Sequence, residues 1–510
     1  MEGDGDAAEP EGLLAVAAEA VVRQVAMEGD GDAAEPEGLP PVAAEADGEV
    51  QLPAVRVCVR VRPLLGWETA EGHSCTRLQV APGRRGSVTI EAPEEADKEL
   101  GLDNAQARDR SKPPGPKTFT FDSVFGHDSS QRDVWRQAEM GALVGKVTEG
   151  FNATVFAYGQ TGSGKTHTME GFDYDTGDAG GRRPRAQTKA TPEEQHGIVP
   201  RAVRDLFERL AVLRAVAEED SFVVKASFLQ IYNERVFDLL NPASAAGTGA
   251  ANGTFGGSGD DAMTGLRLRW DAVRGGFFVE NLFEFECASA EEVLQHYAKG
   301  VRQKQVAATS MNAQSSRSHT ILSVTVAHRV AMDVGAAVTR EVVSTLSLVD
   351  LAGSERGASH AADTKAGAER FKEAVNINQS LFVLRRVIAA LSRRERRGEK
   401  DDDSQHIPYR ESKLTSLLQH SIGGNGFMVM IACLSPADRH YEENLSTLKY
   451  ASQAALIKNK PTLNLDPKDK LIQQLQQQLA AAHAYILQHL GLETLPPELL
   501  DAAPPLKAAH

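Results

Sequence analysis

The chain has 510 residues, 41% of them hydrophobic, and a formal net charge of −15 at pH 7. That is enough apolar material for a substantial core and roughly two to four domains, but no run nears the ~20 apolar residues of a membrane helix. Its four cysteines, Cys58, Cys75, Cys287 and Cys433, show neither metal-ligand nor disulfide spacing, so a reducing cytosol is the expected setting.

In chain order, residues 1–50 hold fourteen acids against one base, Arg23, so −13 of the charge sits there and −2 on the other 460 residues. Within them 1–20 and 27–46 are near copies, offset by 26 positions. Dense acid and low hydrophobicity predict a disordered extension, without the pattern of a secretory signal or transit peptide. A globular domain is expected over 51–455. Val55, Val57, Val59 and Val61 alternate as a strand does, and Ala153 to Tyr158 read as a buried strand. A helix is expected to start at Lys165 and another to cover Arg201 to Ala217; Ile321 to Val326 and Val342 to Val349 read as further strands. Segments 96–116, 171–195 and 241–264 are charged or rich in Pro, Gly and Ser, and are expected as surface loops. The order predicts an α/β fold, a mostly parallel central β-sheet flanked by helices on both faces. Near the end, Ile472, Leu475, Leu479, Ala482 and Ile486 fall on heptad positions. They fill only about two heptads where a stable coiled coil takes roughly three to four, so 468–490 is expected to be a short helix or coiled-coil stub. A tail follows over 491–510.

The most specific chemistry lies at Gly159-Gln160-Thr161-Gly162-Ser163-Gly164-Lys165-Thr166, which fits G-x-x-x-x-G-K-[ST] between a strand and a helix. Glycines let several backbone N–H groups turn towards a phosphate, and the helix N-terminus adds its positive dipole. Lys165 is expected to reach the β- and γ-phosphates of a nucleotide, and Thr166 to ligate Mg²⁺. Two later segments refine this. Asn312-Ala313-Gln314-Ser315-Ser316-Arg317-Ser318-His319 precedes one strand, and Asp350-Leu351-Ala352-Gly353-Ser354-Glu355 follows another. Taken singly, a serine-rich turn or an Asp ending a strand is usually structural. Together, after a phosphate loop, they suit the sensing of a γ-phosphate. Ser315 and Ser316 supply hydroxyls, Gly353 a backbone N–H, and Asp350 a carboxylate for the Mg²⁺ water shell. Arg317 and Glu355 are expected to pair and close the two segments.

These pieces, with VRVCVRVRPL (55–64), FTFDSVFG (119–126), HGIVPRAV (196–203), SFLQIYNERVFDLL (227–240), INQSL (377–381), IPYRESKLTSLLQHSIGGN (407–425) and LSTLKYASQAALIKNKP (445–461), resemble the kinesin motor-domain family over roughly 53–467. The resemblance implies a P-loop NTPase fold, hydrolysis of ATP with Mg²⁺, and a microtubule as partner. By it Arg60 and Pro63 flank the adenine, Gly159 to Thr166 hold the phosphates with Asn312 and Ser315, and Thr166, Ser316 and Asp350 serve the metal. Ser316, Arg317, Gly353 and Glu355 arrange the attacking water. The basic stretch Lys372 to Lys413, with Arg385, Arg386, Arg393, Arg394, Arg396, Arg397, Lys400, Arg410 and Lys413, falls where kinesins meet their track. It lacks interleaved aromatics, which favours tubulin over nucleic acid. Residues 456–467 resemble a neck linker with Asn464 as its latch, which implies plus-end movement.

Two departures matter. Kinesins usually carry Leu-Gly-Asn where this chain has Leu384-Arg385-Arg386, and the loop after Glu355 is longer than usual. An alternative therefore stays open: a microtubule-bound protein that does not step, for which an axoneme or cilium would be a natural home. A soluble small-molecule kinase is disfavoured, because no acceptor-substrate domain remains once the switches are assigned.

Overall fold

Runs of β-branched and aliphatic residues build one ten-stranded sheet. Its strands are β1 (Val55–Val61), β2 (Gly83–Arg84), β3 (Ser123–Phe125), β4 (Ala153–Tyr158), β5 (Ser221–Tyr232), β6 (Arg235–Asp238), β7 (Phe285–Glu286), β8 (His319–Ala331), β9 (Thr339–Asp350) and β10 (Phe427–Leu434). Their order is β6-β5-β8-β9-β4-β10-β1-β3-β2, with β7 also paired to β5. The strands from β9 to β3 run parallel, as expected for the centre of an α/β sheet, and antiparallel strands extend both edges. The structure, a computed structural model, describes residues 52–75, 77–92, 115–171, 174–176, 182–184, 193–216, 221–241, 265–272, 275–310, 317–331, 339–355, 365–397 and 406–464, and single positions at 471, 475, 478, 479 and 482.

The helices are α1 (Gly66–Ala70), α2 (Gln131–Gln137), α3 (Met140–Thr148), α4 (Lys165–Glu170), α5 (Ile198–Val216), α6 (Ala290–Ser310), α7 (Lys365–Arg397), α8 (Lys413–Leu417) and α9 (Tyr441–Ala454). β1 shows why the sheet is covered on both faces. Val57, Val59 and Val61 join a core with Leu384 and Ile388 of α7 and Leu448 of α9. Arg60, on the opposite side, bonds Gln131 of α2 and Thr168 of α4. On that same side Ser344 Oγ donates to Val147 O of α3 at 2.7 Å, and Phe228 packs on Tyr297 of α6. All six residues of β4 are buried, hence its largely apolar sequence, in which Thr154 is satisfied by the Ser421 hydroxyl at 2.6 Å. Each fully buried Val, Leu or Ile contributes about 1.5–3 kcal/mol.

Contacts divide the chain into a large unit, 52–210 with 219–510, which carries every feature discussed below, and a small one, 1–51 with 211–218. Of the small unit only 211–216, the end of α5, are described. The acidic repeat and nearly all of the 96–116 and 241–264 segments lie outside the described residues. Within 171–195, Tyr174–Thr176 pair with Arg182–Pro184. Of the heptad positions only Leu475, Leu479 and Ala482 are described, all helical and exposed. Among the described residues no helix is long and apolar enough to cross a membrane.

After α9 the chain runs back along the body. Ile457 is buried, and Lys460, Thr462 and Asn464 donate their N–H groups to Gly424 O, Asn425 O and Gly150 O. Val343 N–H closes the path on Asn464 O at 3.0 Å. Gly150, at φ +103°, leaves the room: a Cβ there would lie 2.4 Å from Val342 and 2.9 Å from Leu463. Buried Asn459 anchors the segment, accepting from Gly423 N–H and donating to Ser421 O and Gly426 O. Asn459→Ala leaves those backbone groups without partners, at a cost of roughly 2–4 kcal/mol. Amide exchange at 460, 462 and 464 should rise sharply in this variant; protection equal to wild type would mean the segment is held elsewhere.

Candidate functional site

The site grows out of strand register. Parallel pairing sets Asp350, the last residue of β9, beside Ala157 of β4, so its carboxylate meets the loop that leaves β4. That loop turns on Gly159, Gly162 and Gly164, at φ +151°, +78° and +97°. A Cβ on Gly159 would lie 2.2 Å from Cys433 O, so the loop can press onto the end of β10 only as glycine. Ser163 Oγ closes it on Gln160 O at 2.8 Å. Lys165 Nζ, buried, donates to Gly159 O and Gln160 O at 2.9 and 2.8 Å. Burial pulls this ammonium below its ordinary value, against the opposing pull of the Asp350 and Glu355 carboxylates.

Thr166 Oγ1 donates to Asp350 Oδ2 at 2.7 Å, while buried Asp350 Oδ1 has no hydrogen-bond partner among the described residues. A hydroxyl beside an unsatisfied buried carboxylate oxygen is a donor set that suits a hydrated Mg²⁺. The segment Asp350 to Glu355, the second of the two expected to sense a γ-phosphate and hereafter the second switch, lies directly on the phosphate loop. Ser354 N–H donates to Gly159 O at 3.1 Å, and the Glu355 carboxylate accepts from Thr161 N–H at 2.8 Å and from Thr161 Oγ1. A Cβ on Gly353 would lie 2.3 Å from Thr161 Oγ1, so the close approach needs glycine. Both Glu355 oxygens are thus engaged by Thr161. Arg317 itself stands just before β8, half-buried; Asn312, Ser315 and Ser316 lie outside the described residues.

Arg60 differs from expectation. It is buried, with Nη1 at 2.9 Å from Gln131 Oε1 and 3.0 Å from Thr168 Oγ1, and burial lowers its pKa. Gln131 in turn donates to His167 O at 2.8 Å and lies 3.2 Å from His167 Nδ1, so Arg60 acts on the exposed edge of α4 through Gln131. Pro63 is exposed. Sequence reasoning missed Arg62, whose Nε donates to Gly162 O at 2.6 Å and whose Nη atoms hold Glu68 at 2.6 and 2.7 Å. Burial pushes the Glu68 carboxyl up, but Arg62 and the Leu65 N–H outweigh it and hold it at about 2. The Arg62–Glu68 spacing carries no motif, so only the fold reveals this brace on the phosphate loop.

His319 was missed as a junction too. Ala352 N–H donates to His319 Nδ1 at 3.0 Å, so Nε2 carries the proton and donates to Ser380 Oγ of α7 at 2.7 Å. Burial, aided by the Lys304 and Lys165 charges, lowers its pKa from 6.5 to about 3. The folded pKa lies below the unfolded one, so this stability is complete above pH 6.5 and is lost as pH falls towards 3. Urea unfolding at pH 7 and 4.5 should show wild type losing about 2–3 kcal/mol more than His319→Gln. Equal losses would remove His319 as the acid-sensitive group.

A family model described as "Kinesin motor domain" matches residues 60–457. The chain belongs to the kinesin family. "Chromosome-associated kinesin KIF4" of Mus musculus is 36% identical over 455 residues, which cover 88% of this chain and 30% of that protein. The Gallus gallus protein of the same name is 36% identical over 454 residues, with the same shares. This chain thus spans about 30% of the length of the curated relatives it matches.

The basic stretch that resembles the track-binding side of kinesins is divided by the fold. Arg386, Arg393, Arg396 and Arg410 are exposed, and Arg394 and Lys413 half-buried. Arg386 bonds Glu411 and lies over the exposed Phe382 ring, which corrects the expectation that no aromatics interleave with this stretch. Arg410 stands over Trp270 and Phe277, on a hairpin of Leu268–Asp271 and Gly276–Val279 that sequence reading had not joined to this face. The Arg397 side chain and Lys400 lie outside the described residues. Arg385 is a correction. One residue from Arg386, it is turned about 100° around the helix, onto the side of α7 that carries Leu381, Leu384 and Ile388, and it points to Tyr158 instead of outwards.

Proposed function

We propose that this chain is a microtubule-stimulated ATPase that drives movement along microtubules towards the plus end. The observation that carries the reading is the second switch bonded onto the phosphate loop, through Ser354 to Gly159 and Glu355 to Thr161. A segment bonded to the loop itself can release when a γ-phosphate competes for the same loop. Lys165 and the loop N–H groups bind the ATP phosphates. Thr166, Ser316 and Asp350, the last through water, would hold Mg²⁺, which would neutralise charge on the β- and γ-phosphates. Ser316, Arg317, Gly353 and Glu355 arrange the attacking water, since this chemistry rests on positioning and charge more than covalent steps. Arg60 and Pro63 border the purine, Arg60 by way of Gln131 and His167.

On this reading 51–455 form the motor domain, 456–467 a neck linker whose seat on Gly150 and Gly424 is the docked position, 468–490 a short helix and 491–510 a tail, behind the acidic 1–50. Arg386, Arg393, Arg394, Arg396, Arg397, Arg410 and Lys413 face acidic tubulin, with affinity that falls as salt rises. The setting is the microtubule cytoskeleton. The chromosome association in the relatives' names belongs to proteins of which this chain covers 30%.

The test is steady-state ATP hydrolysis by the full chain with and without microtubules, at low and moderate salt. Strong stimulation that weakens with salt is expected. One second reading, a microtubule-bound protein that does not step, rests on Leu384-Arg385-Arg386 and on the longer loop after Glu355. Tight co-pelleting with slow, unstimulated turnover and no filament gliding would establish it.

A further inference from the structure

The position where kinesins usually carry glycine holds a cation with three neighbours from separate elements. Arg385 Nε donates to the Tyr158 hydroxyl at 2.8 Å, at the end of the strand that enters the phosphate loop. Its Nη2 donates to Ser354 O, in the second switch, at 3.3 Å. Its guanidinium lies 5.9 Å from the Tyr158 ring and 6.0 Å from the Tyr450 ring of α9, and those two rings pack 4.3 Å apart. A charge on the apolar side of a helix needs such acceptors and ring faces to offset its desolvation.

Ser354 is therefore gripped from two sides. Arg385 holds its carbonyl, and its N–H is held by Gly159 O at 3.1 Å. Its neighbours are Gly353, packed against Thr161, and Glu355, bonded to Thr161. We propose that Arg385 is a positioning residue for ATP turnover, pinning the second switch to the phosphate loop from the helix whose next residue, Arg386, faces outwards. The proposal rests on the ATPase reading above. A glycine at this position supplies no such contact, so the pin is a property of this chain. Only arginine can serve both acceptors from one planar fork; a lysine ammonium reaches one of them. The same turn of α7 then links a cation bonded to the second switch to an outward-facing one.

The experiment compares the full-length wild type with Arg385→Met, which keeps side-chain bulk, and Arg385→Lys, which keeps charge. Hydrogen exchange at the Ser354 amide reads the pin directly, without nucleotide or microtubules. Exchange should speed up about tenfold in Arg385→Met, the loss of one charge-assisted hydrogen bond, and by less in Arg385→Lys. Turnover without microtubules should fall about tenfold in Arg385→Met with KM for ATP unchanged. Unchanged Ser354 exchange would overturn the proposal. So would a general fall in protection across the β4 and β10 core amides, which would mark Arg385 as mere packing. If the wild type hydrolyses ATP and Arg385→Met matches its kcat, the assignment of Arg385 alone falls. A wild type without turnover would remove the ATPase reading itself.

Discussion

Replacing Lys165 by Ala is expected to lower affinity for Mg·ATP by on the order of 10³-fold, with the fold intact. Lys165 Nζ is buried against Gly159 O and Gln160 O, so its position is set before any nucleotide arrives. Its charge is only partly compensated, by Asp350 and Glu355. A phosphate entering the loop thus meets a desolvated, preplaced cation, and alanine removes it while leaving two carbonyls aimed at the vacated space. Equilibrium titration with a fluorescent ATP analogue reads the affinity, and thermal melting without nucleotide reports the fold. Binding within about tenfold of wild type would move the phosphates away from this loop.

Replacing Glu355 by Ala is expected to keep ATP binding but to lower turnover by on the order of 10²–10³. Glu355 makes none of the bonds that place Lys165, Thr166 or Asp350, so the phosphate site survives its loss. What goes is the carboxylate that ties the second switch to Thr161. Without it Ser354 still has its contacts with Gly159, Arg385 and Tyr158, but Gly353 is no longer tied to Thr161 through Glu355, and a water near the γ-phosphate loses an ordered neighbour. Single-turnover hydrolysis, measured beside analogue binding, separates the effects. Normal turnover would strip Glu355 of its role, and a parallel loss of binding would make it a ground-state contact.

The local chemistry was legible early. Gly159 to Thr166 could be read because a strand, a glycine turn and a helix start are set by neighbouring residues, and Lys165 indeed opens α4. Ala153–Tyr158 and the run ending at Asp350 were legible as strands because both are rich in β-branched and aliphatic residues, as strands buried in the middle of a sheet are. Their adjacency was not. It took the parallel register of β4 with β9 to set Asp350 beside Thr166.

The side chains that departed from expectation are held by residues remote in sequence. Arg60 was assigned to the adenine from its motif, yet Gln131 and Thr168, 71 and 108 positions away, draw it inside. Arg385 was counted with the arginines around it, because composition cannot tell the two sides of one helical turn apart. Tyr158, 227 positions earlier, turns it inwards. Local pattern was therefore enough for the phosphate loop, the strands and the kinesin resemblance, since each depends on contacts within a few residues or on burial of a whole strand. The direction of Arg60 and Arg385, the reach of Arg62 to Gly162 and the anchoring by Asn459 were decided by packing between distant segments, because a buried polar group goes where the folded chain offers it a partner.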